Sequence, residues 1–163
     1  MKNKELYDRS VNILVDAYMN DELVAQDCNA CAVGNLVCAN MDYRMHKSYL
    51  GKLIWLDKNG NIINPLWSKV HTVNIGHIIM RTYMVENYIG CAKAQIDSTG
   101  YTPEQTSRIE VAFEKGNLIV GSKDEKMFSG LMSVIDVLDE IHENTDEEVT
   151  KETKSKFQKT VIC

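Results

Sequence analysis

Two thiols three residues apart, Cys28 and Cys31, are the feature of this sequence best suited to chemistry. A Cys-x-x-Cys pair can supply half of a zinc site, or it can cycle between dithiol and disulfide where a helix N-terminus lowers the thiol pKa. Zinc needs two further ligands at short range. Cys38 and His46 are available, but no second close pair accompanies them. Redox sites of the thioredoxin kind follow a strand in a βαβ unit, a pattern that is missing around residue 28. The third reading is packing. At about 100° per residue, Cys31, Gly34, Asn35 and Cys38 share one helix face. With Ala30, Ala32 and Ala39 they form a small-residue surface on which a neighbouring backbone can close. A buried free cysteine then acts as a small hydrophobe. Packing is favoured, with a zinc- or thiol-dependent interaction module built on Cys28 and Cys31 as the alternative.

A second constellation lies further along. Asn74, His77, Arg81 and Tyr88 fall in a narrow arc of one expected helix, away from its isoleucine face. Arg supplies a bidentate fork for phosphate or carboxylate, and Asn, His and Tyr add donors beside it. A solvated polar helix face is the plainer reading of that stripe. It is nevertheless the best candidate for binding a small anionic, nucleotide-like ligand. Asn35 joins the candidates as a polar side chain on an otherwise apolar helix, where burial would oblige it to find partners. His46, His71 and His142 stand alone. Asp136, Asp139, Glu140 and Glu143 read as a solvated face. Asp57-Lys58-Asn59-Gly60-Asn61 only brushes the calcium-loop pattern, since Ile62 and Ser68 occupy the positions that need Gly and Glu. No catalytic triad order, paired-carboxylate spacing or glycine-rich phosphate loop is found. No catalytic residue, metal ligand or cofactor is therefore assigned.

The elements that must carry these residues follow from periodicity. Leu6, Ser10, Ile13, Leu14, Ala17 and Tyr18 predict a helix over 4–19. Asp27 is placed to cap a second over 28–41. Asn59-Gly60 between Leu53–Leu56 and Ile62-Ile63 predicts a β-hairpin. A long helix over 72–97 carries the Asn74–Tyr88 stripe. Thr102-Pro103-Glu104-Gln105 is a capping box that starts a helix running to Lys115, with Gly116 as its stop. Leu118-Ile119-Val120 reads as one short strand. Phe128, Leu131, Val134, Ile135, Leu138 and Ile141 define a further helix. Thr145 opens a polar C-terminal helix over 145–163 that frays or waits for a partner. The fold class expected is mainly α: a single-domain bundle of about six helices with one small hairpin, spanning 1–163.

Bulk properties restrict the function. At 163 residues the chain can bury about 70% of its unfolded surface without disulfide or metal. A net charge of −5 with no basic run argues against coating nucleic acid. Five unevenly spaced cysteines suit a reducing compartment. No apolar stretch is long enough to span a bilayer, and no signal segment leads the chain. A cytoplasmic protein without membrane contact is expected.

Three stretches, Cys28-x-x-Cys-Ala-Val-Gly-Asn-Leu36, Gly100-Tyr-Thr through Arg108-Ile-Glu-x-Ala-Phe-Glu114, and Phe128-x-Gly-Leu-Met through Asp136-Val-Leu138, resemble a group of small uncharacterised proteins of bacteriophages and phage-rich bacterial genomes. The resemblance covers most of the chain and rests on packing motifs. It implies a phage accessory protein that acts by binding, either occluding a host protein or sequestering a small signalling molecule. The expectation is a non-enzymatic binding protein, with a homo-oligomer allowed.

Overall fold

The computed structural model describes residues 1–27, 29–63, 99–145 and 151. Among them, helices α1 (Lys4–Met19), α2 (Ala32–Asn40), α3 (Pro103–Gly116) and α4 (Lys123–Ile141) accompany strands β1 (Arg44–Lys47), β2 (Leu53–Leu56) and β3 (Ile62–Ile63). The expected six-helix bundle with one hairpin is therefore incorrect: four helices and a three-stranded antiparallel meander, ordered β1-β2-β3, are what form among these residues. The helix expected over 72–97 lies outside the described residues, as does the one expected over 145–163 apart from Thr145 and Lys151.

The strand that sequence pattern missed is β1, Arg-Met-His-Lys, which pairs Arg44 with Leu56 and Lys47 with Leu53. Its side chains are mostly exposed, as suits an edge strand guarded by charge. Such a strand carries no apolar alternation to betray it. Met45, opposite Trp55, is its one side chain packed against the core. The β2–β3 turn forms where Asn59-Gly60 predicts it. Gly60 takes φ +81°, and the Asp57 carboxylate accepts from the backbone N–H groups of Asn59 and Asn61. Those bonds hold its pKa below the usual value, Asn61 contributing most.

Helix starts show where local signals sufficed. Thr102 and Gln105 form the reciprocal capping box that opens α3. Helix α4 begins earlier than its apolar pattern suggests, because Ser122 caps it by accepting from Glu125 N–H at 3.1 Å. Leu118-Ile119-Val120 is loop rather than strand, and its side chains are exposed. Helix α2 starts at Ala32, not at residue 28. Asp27 caps a turn instead: its carboxylate accepts from Asn29 N–H at 2.9 Å and its carbonyl from Cys31 N–H at 2.7 Å.

The core is built from Leu6, Tyr7, Leu14 and their neighbours on α1, nearly all of α2, Trp55, and the inward faces of α3 and α4. Helices α3 and α4 run antiparallel. Gly116 meets Gly130 near their shared turn, while Arg108 forms an ion pair with Glu140 at the far end. Beyond that end, a buried chain ties three elements together. Ser10 Oγ lies 2.9 Å from Tyr101 OH, which lies 2.8 Å from His142 Nε2. His142 Nδ1 sits 2.6 Å from the Lys2 carbonyl oxygen. A carbonyl only accepts, so Nδ1 carries the proton; in the neutral ring Nε2 then accepts from Tyr101.

The α3–α4 contact depends on glycine. A Cβ on Gly116 would stand 2.7 Å from Gly130 Cα and 2.8 Å from the Ser129 carbonyl oxygen, and backbone atoms cannot step aside. Alanine ordinarily stabilises a helix position relative to glycine by up to about 1 kcal/mol. Here the sign reverses: Gly116→Ala lowers the unfolding free energy by about 1–3 kcal/mol, as overpacked sites do, measured by urea denaturation.

Candidate functional site

Helix α2 has nine residues and is buried from Ala32 to Cys38, so its N-terminal N–H groups cannot turn to water for partners. Two side chains serve them. Cys31 is the N-cap, its sulfur accepting from Gly34 N–H at 3.3 Å. The other comes from α3: Glu110 Oε2 accepts from Val33 N–H at 3.3 Å. Glu110 is only 1% exposed and also receives a hydrogen bond from the Cys31 thiol. Burial pushes its carboxyl up to about 8; the Cys31 bond opposes that shift, while the neighbouring Glu114 adds to it. A thiol 2% exposed cannot meet a substrate from solution, so Cys31 packs and caps. Cys28 lies outside the described residues. No three His, Cys, Asp or Glu side chains converge as metal ligands among those described.

Glu114 leads from this buried cluster to the surface. It accepts from Gln26 N–H at 2.8 Å, holding in place a loop residue with φ +63°. Beside that bond a cavity of about 340 Å³ opens between the 23–26 loop, the end of α3 and the first turn of α4. Leu23, Val24 and Met127 give it an apolar wall, and Lys123 and Lys126 add two cations at its α4 side. Neither lysine has an ion-pair partner among the described residues. Lysines in a first helical turn face the positive end of the helix dipole, so both favour an anion close by. This cavity is the candidate site.

Of the residues singled out by sequence, Asn74, His77, Arg81 and Tyr88 lie outside the described residues, as does His71. Asn35 is buried, and its amide nitrogen donates to the carbonyls of Glu22, Ala30 and Cys31 at 2.9, 2.9 and 3.1 Å. It thereby folds the α1–α2 loop back onto α2. His46 is exposed on the edge strand, and His142 serves the buried chain described above. Sequence reasoning passed over Glu110 and the lysine pair. Glu110 did leave a signal: Thr106, Ile109, Glu110 and Phe113 recur at helical spacing, so a carboxylate stands inside an apolar stripe. The lysines left none, since nothing in the sequence brings the 23–26 loop to α4. Comparison of the chain with known protein families, curated proteins and solved structures gives no match.

The Glu110 carboxyl sets a pH dependence. Its folded pKa of about 8 lies above its ordinary 4.5. Between those values the unfolded chain releases a proton that the folded chain keeps, so stability falls as pH rises through the window. Denaturant midpoints of the native chain therefore decline from about pH 4.5 to 8. Glu110→Gln, which keeps the acceptor for Val33 and has no proton to lose, flattens the decline and is at least as stable as the native chain at the alkaline end.

Proposed function

We propose that this is a binding protein without a catalytic step of its own, and that the cavity walled by Leu23, Val24, Met127, Lys123 and Lys126 takes a small anionic ligand with an apolar or aromatic body. The observation that carries this reading is two unpaired lysines set in the first turn of α4 beside an apolar wall. A volume of about 340 Å³ is at the small end of ligand pockets, suiting one compact molecule. Apolar contact would supply affinity, and the lysines would fix the acid group. The resemblance to small phage proteins supports a host-directed purpose for such binding, the sequestering of a small molecule.

A second reading, contact with a host protein, is favoured by the loop next to the cavity. Leu118, Ile119 and Val120 are consecutive large apolar residues, and Val120 is fully exposed. Contiguous exposed apolar surface is a mark of protein contact sites.

Calorimetric titration with adenosine monophosphate and with octanoate tests the first reading and separates a nucleotide-like from a fatty-acid-like anion. Saturable binding of one of them is expected, with one site per chain. The double variant Lys123→Ala, Lys126→Ala should weaken it by about tenfold or more, equivalent to about 1.4 kcal/mol. Failure of both probes to bind, or unaltered affinity in the double variant, overturns the assignment.

A further inference from the structure

A second cavity of about 290 Å³ lies between α1, α2 and β1, with a lining quite unlike the first. We infer that it is a site for a small organic cation, a primary ammonium group on a short apolar stem. Asp16 and Glu22 bring two carboxylates to it, and Asn35 brings a buried carboxamide. The Asn35 nitrogen is taken up by three carbonyls. Its oxygen, the one polar atom of that side chain left over, has no hydrogen-bond partner among the described residues, although the residue is only 6% exposed. A buried acceptor left unmatched costs free energy unless a donor reaches it.

The two carboxylates are also unmatched. Neither Asp16 nor Glu22 takes part in an ion pair among the described residues. Burial raises the Glu22 pKa. Asp16, Glu22 and Asn35, each with a side-chain oxygen that has no partner among the described residues, thus line one space, and an alkylammonium head offers three N–H donors and no acceptor. Tyr43 adds an aromatic ring able to attract a cation, while Ile13 and Met45 provide apolar surface for the stem. A bare metal ion fits poorly, because no three metal-binding side chains converge among the described residues. Arg44 also lines the cavity. Its positive charge works against a cationic guest and gives the test a second sign.

Titration of the full chain with butylammonium, followed by the amide chemical shifts of Asn35 and Cys38, should show saturable binding. Tetramethylammonium, which is charged but has no N–H donor, should bind at least about tenfold more weakly. Asp16→Asn with Glu22→Gln should reduce butylammonium affinity by a similar factor, and Arg44→Ala should increase it several-fold. These side chains make no hydrogen bond or ion pair among the described residues, so the variants should keep the wild-type melting temperature; Asn35 is left intact because its bonds hold the loop. Lys123→Ala with Lys126→Ala should leave butylammonium binding unchanged, which separates this site from the anion cavity. No saturable shift, equal binding of tetramethylammonium, or indifference to both the carboxylate and Arg44 variants overturns the inference.

Discussion

Everything described in this molecule leans on one helix terminus. Helix α2 is short, apolar apart from Asn35 and Asn40, and buried along most of its length. A nine-residue helix is marginal by itself, and its first N–H groups point into the protein interior. They are satisfied from two directions, by the Cys31 sulfur next in sequence and by the Glu110 carboxyl far away in the chain. The cap is therefore tertiary. Helix α2 acquires a satisfied N-terminus only when α3 docks, and α3 can bury a carboxyl only because those N–H groups and the Cys31 thiol receive it.

That mutual requirement fixes the position of α3, and α3 in turn fixes α4. Gly116 and Gly130 let the two helices approach until backbone meets backbone near their turn. At the other end the Ser10–Tyr101–His142–Lys2 chain links α1, the residues before α3, and the residues after α4. Polar groups buried in this way contribute less through net energy than through the penalty for leaving any of them unpaired. The arrangement tolerates few alternatives.

The loop between α1 and α2 is where structure turns into surface chemistry. It carries two left-handed residues, Asp21 and Gln26, and is pinned from below by Asn35 and from the side by Glu114. Glu22 lines one cavity, and the run from Leu23 to Gln26 lines the other. One pinned loop thus lines both cavities. The lysines of α4 and the carboxylates of Asp16 and Glu22 are each left without a counter-ion among the described residues.

The sequence by itself determined the elements whose signals are local. Helix α1 follows from its apolar spacing, α3 from the Thr102–Gln105 box, the β2–β3 turn from Asn59-Gly60, and the packing role of Cys31 and Cys38 from the small-residue face of α2. These depend on residues within a turn or two of one another, so one chain segment contains the whole cause. It misjudged β1, an edge strand whose charged residues hide any alternation, and the overall class, since a sheet of four-, four- and two-residue strands leaves almost no periodic trace. Tertiary structure alone decided that Glu110 would cap α2, that Asn35 would fasten a loop, and that two lysines would meet Leu23 across a cavity. Each of those joins groups from separate segments, and burial, which made them necessary, exists only once the chain has folded.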